Sequence, residues 1–277
     1  MIPLTPYPAA LIKSKDEKIL VIADLHIGWE IALSQKGIHI PTQTSRMLRK
    51  LLKLISIYNP NRLLILGDVK HTIAMAELGE WQDVPNFFEA LKKRVKRISI
   101  IPGNHDGNLE PLLPENIEIL SSSGTAIDEV GLFHGHKWPS PALLKCKILM
   151  MGHVHPVIAF RDPTGFRITR QVWVKVNCKR EKLIEILLKK RHIKIEKSPE
   201  ETLKKHFKVT AKVSQLFIMP SFNEYLGGKP LNEGMAEKTR IVGPILRSET
   251  VDIENAEVYL LDGTYIGKLS QLKTLIR

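Results

Sequence analysis

Five short polar clusters in this sequence each follow an apolar run: Asp24-Leu25-His26, Gly67-Asp68, Gly103-Asn104-His105-Asp106, His134-Gly135-His136 and Gly152-His153-Val154-His155. Seven of the ten histidines fall in or beside them, His71 being the seventh. Imidazole together with carboxylate suits borderline divalent ions such as Mn, Fe, Ni and Zn better than Ca. Two ions about 3.5–4 Å apart can clamp a phosphate and activate water near neutral pH. Such a pair needs a bridging carboxylate, and Asp68 stands alone in its cluster where a bridge is required. A single His-x-His or Gly-Asp pair carries little information. Gly-Asn-His-Asp after an apolar run has little packing rationale, and the ordered set of five points to a metal site.

The elements that must present these clusters are short strands and amphipathic helices. KILVIADLH, RLLILGD, RISIIPGNHD, VGLFHGH and KILMMGHVH each read as a strand running into a cluster. In open α/β sheets the loops at the carboxyl ends of strands converge on one crevice. Strand alternation would place Asp24 and His26, His134 and His136, and His153 and His155 pairwise on one side. Glycines at 67, 103, 135 and 152 would let the chain bend beside them. TQTSRMLRKLLKLISIY predicts a helix with Met47, Leu48, Leu51, Leu52 and Ile55 on one face, and VPNFFEALKKR predicts another. VIAFRDPTGFRI and QVWVKV suggest antiparallel strands across a Pro-Thr-Gly turn, and LFIMP, AEVYLL and TYIGKL add later strands. This alternation, followed by further strands, indicates a layered α/β protein.

The 277 residues carry 41 Lys+Arg against 29 Asp+Glu, a net charge of +12. Of this, +8 lies in residues 175–212, with thirteen Lys/Arg and five Glu. Within that stretch REKLIEILLKKRHIKIEK reads as a short amphipathic helix running into a strand at Ile193 and Ile195, and SPEETLKKHF reads as a second helix with Ser198 as N-cap and Glu201 three residues on. The charge fits a polyanionic partner, or a lysine-rich surface of the kind thermophiles use. With two cysteines 32 positions apart, a thiolate zinc site is disfavoured, Cys146 and Cys178 read as inert core thiols, and a reducing cytoplasm is the default compartment. No apolar run reaches a membrane span, and the first residues lack a signal-peptide pattern. The tryptophans at 29, 81, 138 and 173 read as core or rim packing, with Trp138, next to His-Gly-His-Lys, the one to watch at a cleft mouth. Lys70 and Lys137 flank the clusters and could meet a phosphate.

Taken in order across residues 24–155, the clusters resemble the DxH…GD…GNHD…H…GHxH pattern of the calcineurin-like metallophosphoesterase superfamily. The resemblance implies an α/β fold, a four-layer αββα sandwich spanning 1–277, with the basic, partly helical 178–212 as an appended element and residues 213–277 completing the sandwich. It implies two divalent ions, manganese first, with iron, nickel or zinc also admitted. One would take Asp24, His26, Asp68 and His155; the other would take Asp68, Asn104, His134 and His153. His105 matches the non-ligand histidine that assists the leaving oxygen. Asp106 would either orient His105 or cap the turn. His136 would line the cleft or bind phosphate, and His71 would lie near substrate or in a supporting loop. Gly-Asp-Val-Lys-His at 67–71 and the basic character resemble the SbcD-like repair nucleases. FIMPSFNEYLGGKPLNEG and AEVYLLDGTYIG resemble a compact archaeal-type SbcD-related phosphoesterase group, related to the DNA-ligase-associated metallophosphoesterases. Phe222, Asn223 and Gly227-Gly228 would then return to the site. The implied reaction is attack of a metal-held hydroxide on a phosphodiester, with nucleic acid the preferred substrate and partner. A small nucleotide or metabolite ester, or a non-catalytic scaffold, are the alternatives. No membrane partner is expected, and a homo-oligomer is left open.

Overall fold

The computed structural model describes residues 1–15, 17–73, 76–162, 164–233 and 243–274. The first sheet contains β1 (Ile2–Pro3), β2 (Ala10–Lys13), β3 (Lys18–Ile22), β4 (Arg62–Ile65), β5 (Arg97–Ile100) and β6 (Ile117–Ile119), side by side in chain order. β1 pairs with β2 and β2 with β3 antiparallel, whereas β3 to β6 run parallel. Parallel neighbours need crossovers, and helices supply two of them. After β3 come α1 (Trp29–Ser34) and α2 (Thr44–Tyr58), and after β4 comes α3 (Leu78–Lys92).

The second sheet contains β7 (Thr125–Ile127), β8 (Val130–Leu132), β9 (Ile148–Met151), β10 (Val157–Arg161), β11 (Arg167–Asn177), β12 (Gln215–Ile218), β13 (Glu257–Leu260) and β14 (Tyr265–Lys268). Its order is β14-β13-β11-β12-β9-β8-β7, with β10 paired to β11. Within it β8, β9 and β12 are parallel neighbours. The turn between β10 and β11 is closed by Asp162, whose Oδ1 accepts from the amides of Thr164 and Phe166, both at 2.9 Å. Pro163, expected in that turn, lies outside the described residues.

The period of two shows in where alternate residues go. Ile19, Val21, Leu64 and Leu66 face the second sheet and meet Val130, Leu132, Met150 and Trp173. Leu20, Ile22, Leu63 and Ile65 face the other way, onto Met47, Leu51, Leu54 and Ile55 of α2 and Val84, Phe87 and Phe88 of α3. Leu149, Met151, Val172, Val174 and Val176 form the outward face of the second sheet. Both faces of each central strand are buried, so these strands read as continuous apolar runs.

The outward face of the second sheet is covered by α4 (Arg180–Lys190) and α5 (Pro199–Phe207), joined by α6 (Pro244–Arg247) and α7 (Leu269–Thr274). Leu183, Ile184, Leu187, Leu188 and Leu203 are all buried in that core. The basic stretch is therefore the fourth layer of the αββα sandwich and does not stand apart from it. Ser198 caps α5 as its sequence indicates, accepting from the Glu201 amide at 3.1 Å.

Some elements depart from the sequence reading. Ile193 and Ile195 form no strand; they lie in the connection between α4 and α5, half-buried against the same core. Their apolar character serves packing from a loop, which periodicity alone cannot separate from a strand. Helix α3 begins at Leu78, well before Val84, and carries Pro85 inside it. Its start is set by Glu80, whose Oε2 accepts from the Glu77 amide at 3.0 Å. Trp81, expected to pack, is half-exposed on α3, whereas Trp173 is buried between the sheets. Cys146 and Cys178 are free thiols, and burial pushes Cys178 up to about 12.

Because α4 closes a core, Leu187→Ala should lower unfolding stability by about 2–5 kcal/mol in urea titration. A loss under about 0.5 kcal/mol, typical of surface positions, would mean that α4 is not structural.

Candidate metal centre

Three parallel strands of each sheet end on the same rim. Asp24 follows β3, Asp68 follows β4 and Asn104 follows β5; His134 follows β8, His153 follows β9 and Ser221 follows β12. The key residues lie beyond the strands, in turns, so strand alternation is not what aims them. Asp24, His26, Asp68, His153 and His155 all have positive φ, between 44° and 69°. Left-handed backbone is uncommon outside glycine and is concentrated where function constrains the chain.

These turns are laced together. The amides of Asp24 and His26 donate to the carbonyls of Gly67 and Asp68 at 3.1 and 2.8 Å. The His153 amide donates to both oxygens of Asp24, at 3.1 and 3.0 Å, which ties the two sheets at the site. The His105 amide donates to Asp68 Oδ1 at 2.9 Å. The late loop does return here: Phe222 N donates to the Ala23 carbonyl at 2.8 Å, Ser221 Oγ to that of Asp24 at 2.9 Å, and Asn223 Nδ2 to that of Leu25 at 3.1 Å. Gly228 passes so close to His155 that a Cβ there would sit 2.0 Å from the His155 carbonyl oxygen.

Three groups of donors result among the described residues, one of them the imidazoles of His26, His71 and His105 alone, and the other two containing carboxylates. Asp24, His26, Asp68 and His155 bring ligand atoms within 4.8 Å of one another, and Asp68, His134 and His153 do likewise. Asp68 belongs to both, as a bridging carboxylate must. His26 Nε2 and His155 Nε2 lie 3.4 Å from Asp68 Oδ2 and Asp24 Oδ1 respectively, and His134 Nε2 lies 3.3 Å from Asp68 Oδ2. Yet His26 Nε2, His155 Nε2 and Asn104 Oδ1 are buried without a hydrogen-bond partner among the described residues. Buried polar atoms normally find partners, so orphaned ones converging with carboxylates fit a cation held between them. The donor set therefore fits the two divalent ions that the sequence pattern implies.

The electrostatics agree. Burial acts to raise Asp68, but the imidazoles of His134 and His26, 3.3 and 3.4 Å from its Oδ2, outweigh it and hold the carboxyl far below its ordinary range. Burial likewise opposes ionisation of Asp24, yet His155 and His134 hold it below the usual value. His134 is pushed up to about 9: burial works against its charge, but Asp68 and Asp24 more than offset that. Burial, with the His134 charge, takes His153 down to about 4, and burial lowers His26 despite Asp68.

The remaining sequence candidates fall around these groups. The His105 ring lies 4.6 Å from that of His26, centroid to centroid, and its Nδ1 is bonded to the His71 carbonyl. Asp106 does not reach the His105 ring. Its Oδ1 accepts from Val69 N at 2.8 Å and its Oδ2 from Gly103 N at 2.8 Å, so it caps the turn, which was the other reading of this residue. His71 Nδ1 lies 3.2 Å from His26 Nδ1, supporting the ring edge that faces away from Asp68. His136 is half-buried 5.2 Å from the His134 ring and belongs to none of the donor groups. Lys70 is wholly buried, its Nζ directed at the Thr72 carbonyl, and cannot reach a phosphate. Glu80 was not anticipated: it is buried and accepts from the amides of His71 and Thr72 at 2.9 and 2.8 Å, shaping the loop that carries His71. Its one sequence signal was its position three residues after Glu77, as in a capping box.

The fold and the site together define a sandwich phosphoesterase. The chain belongs to the calcineurin-like phosphoesterase family, whose pattern matches residues 17–238, and so is a hydrolase of phosphoester bonds. Among solved structures it is similar to the nuclease MPE of Pseudomonas putida, with 18% identity, 92% of this chain and 97% of that chain covered, and a TM-score of 0.51. It is also similar to YfcE, a phosphoesterase from E. coli, with 20% identity, 52% and 73% covered, and a TM-score of 0.33. At such identity the first likeness speaks to the architecture alone. No curated protein matches the chain.

Two predictions follow from the geometry. A Cβ on Gly103 would sit 2.1 Å from Asp68 Oδ1. Gly103→Ala should therefore weaken metal uptake by about 10–100-fold in equilibrium dialysis, as loss of a supporting contact to ligands does. Second, His134 is protonated at pH 7 in the metal-free protein, its value being about 9, whereas His153 is already neutral. Ligation at His134 must expel its proton, so loading should release about one proton near pH 7, and affinity should fall as pH drops. Above pH 9 the release disappears. Titration calorimetry in two buffers of different ionisation enthalpy measures it.

Proposed function

We propose that this protein is a metal-dependent phosphodiesterase that cleaves nucleic acid, acting in the cytoplasm. The observation that carries the reading is Asp68, shared by two adjacent donor groups, with the His105 ring set over their edge. Asp24, His26, Asp68 and His155 would hold one divalent ion, and Asp68, Asn104, His134 and His153 the other. The mixed imidazole, carboxylate and amide set puts manganese first among the borderline ions. When bound, the pair would supply Lewis-acid polarisation of the phosphoryl oxygens and an activated water.

The chain's own residues provide the rest. The His71 carbonyl holds a proton on His105 Nδ1, which leaves Nε2 as the nitrogen offered to substrate. From there the ring can donate to the departing oxygen or to a phosphoryl oxygen. Asp106, accepting from the amides of Val69 and Gly103, and Glu80, accepting from those of His71 and Thr72, keep this side of the site in place. Buried Asp24 and Asp68 stay ionised, so the centre favours cations without needing a pH change.

The preference for nucleic acid is supported by the +12 net charge and by its concentration in residues 175–212. It is also supported by the position of α4, whose Ile186 and Lys190 line a cleft shared with His136 and His153. The SbcD-like features of residues 67–71 and of the C-terminal strands point the same way.

With added Mn the protein should hydrolyse bis-p-nitrophenyl phosphate. In a panel of single- and double-stranded DNA, RNA and free nucleotides, a nucleic acid should give the highest kcat/KM. Turnover of free nucleotides with every polynucleotide inert would overturn the substrate assignment. His105→Ala should retain its metal content by elemental analysis while losing about 10²–10⁴ in kcat; unchanged turnover would remove His105 from the reaction.

A further inference from the structure

The cleft beside the metal-type groups has a volume of about 450 Å³, within the roughly 300–1,000 Å³ range of ligand pockets. His153 belongs to a donor group and also lines the cleft, and His136 lines it with its ring 5.2 Å from that of His134, so the cleft and the site are continuous. Trp138, Ile186 and Pro244 give the cleft aromatic and aliphatic surface, and Lys190 and Arg247 give it positive charge. Among the described residues no carboxylate lines it, and the one side-chain hydroxyl is that of Ser248. A polyhydroxylated ester would find few partners in such a lining. A flat apolar ring carrying an anionic phosphate would find both.

The pairing of the cations on α4 sharpens this. Arg180 and Lys182 lie away from the cleft and are each neutralised, by Glu200 at 3.2 Å and Glu249 at 3.0 Å. Lys190, the α4 cation that lines the cleft, is exposed and has no ion pair among the described residues. Trp138 is half-buried and anchored on the core of the second sheet, so it offers apolar surface at little entropic cost. On one side of His136 stand the donor groups; on the other stand an aromatic side chain and an ammonium with no ion pair among the described residues.

We propose that this cleft seats the nucleotide adjoining the scissile phosphodiester, with Trp138 contacting its base and Lys190 binding the next phosphate along the strand. The assignment rests on the nucleic-acid reading above and adds to it a direction: the strand leaves the metal centre past His136 towards the end of α4. It makes Lys190 a determinant of chain length and Trp138 a determinant of nucleoside.

The test uses the full-length, Mn-loaded protein and three probes: bis-p-nitrophenyl phosphate, the p-nitrophenyl ester of thymidine 5′-monophosphate, and a short oligothymidylate. For Lys190→Gln, the rise in KM for oligothymidylate should exceed that for either p-nitrophenyl ester by about three- to tenfold. Lys190→Arg should restore it. The slope of log(kcat/KM) against log salt for the oligonucleotide should become shallower by about 0.7, one single-strand phosphate contact. For Trp138→Leu, KM should rise more for the two thymidine-bearing probes than for bis-p-nitrophenyl phosphate. If wild type cleaves oligothymidylate and both variants shift all three probes equally or not at all, the subsite is overturned while the nucleic-acid reading stands. If wild type turns over bis-p-nitrophenyl phosphate and leaves every oligonucleotide untouched, the nucleic-acid reading fails and the subsite with it.

Discussion

The Asp68 carboxylate is the constraint around which the rest of the structure is arranged. It is almost wholly buried, yet ionised, because His26 and His134 press on it from two sides and the His105 amide donates to it. A buried carboxylate without such partners would take up a proton and cease to attract cations. The two sheets contribute unequal halves to this solution. His26 and His105 reach Asp68 from turns of the first sheet, and His134 reaches it from the second. Sheet-to-sheet packing through Ile19, Val21, Met150 and Trp173 therefore does more than bury area: it sets the distance across which that one carboxylate can be shared.

Holding the donors there has a backbone cost. Five non-glycine residues of the centre adopt left-handed conformations, each at an expense on the order of 1 kcal/mol. The compensation comes from side chains that never face the cleft. Asp106 satisfies the amides of Val69 and Gly103, Glu80 those of His71 and Thr72, and Ser221 and Asn223 the carbonyls of Asp24 and Leu25. Such polar contacts in a buried setting over-determine the turns, which lets strained φ values persist. Asp106 serves the turn and not the His105 ring because its two oxygens are directed at those amides, while His105 Nδ1 is bonded to the His71 carbonyl.

The basic stretch illustrates how composition and packing can be superimposed on one segment. Its leucines and isoleucines close the core over the second sheet, while its lysines and arginines divide into those neutralised by nearby glutamates and those left to solvent. Lys175 and Lys182 pair with Glu257 and Glu249, which lie outside residues 175–212, so the net +8 of that stretch overstates the field that a ligand at the cleft would meet. What matters there is the single helix end that abuts His136 and His153.

Much of this protein was legible from residue types alone. The strands around Leu20, Leu64 and Met150 were visible as apolar runs because both their faces are buried. The five clusters announced a metal site because Asp, Asn and His at the ends of such runs have no packing role. The division of donors into two groups came from family resemblance and not from spacing. The alternation argument that paired His153 with His155 failed, since both lie in turns where φ, not strand period, sets direction. What only the tertiary structure decided was everything that depends on approach across the chain: Gly103 making room for Asp68, Glu80 organising a loop nine residues away, Lys70 turned inward, and the end of α4 brought beside His136. Local sequence encodes which residues can ligate or pack. Contacts between the ends of six strands from two sheets are set by how those sheets stack, and no short window of sequence contains that distance.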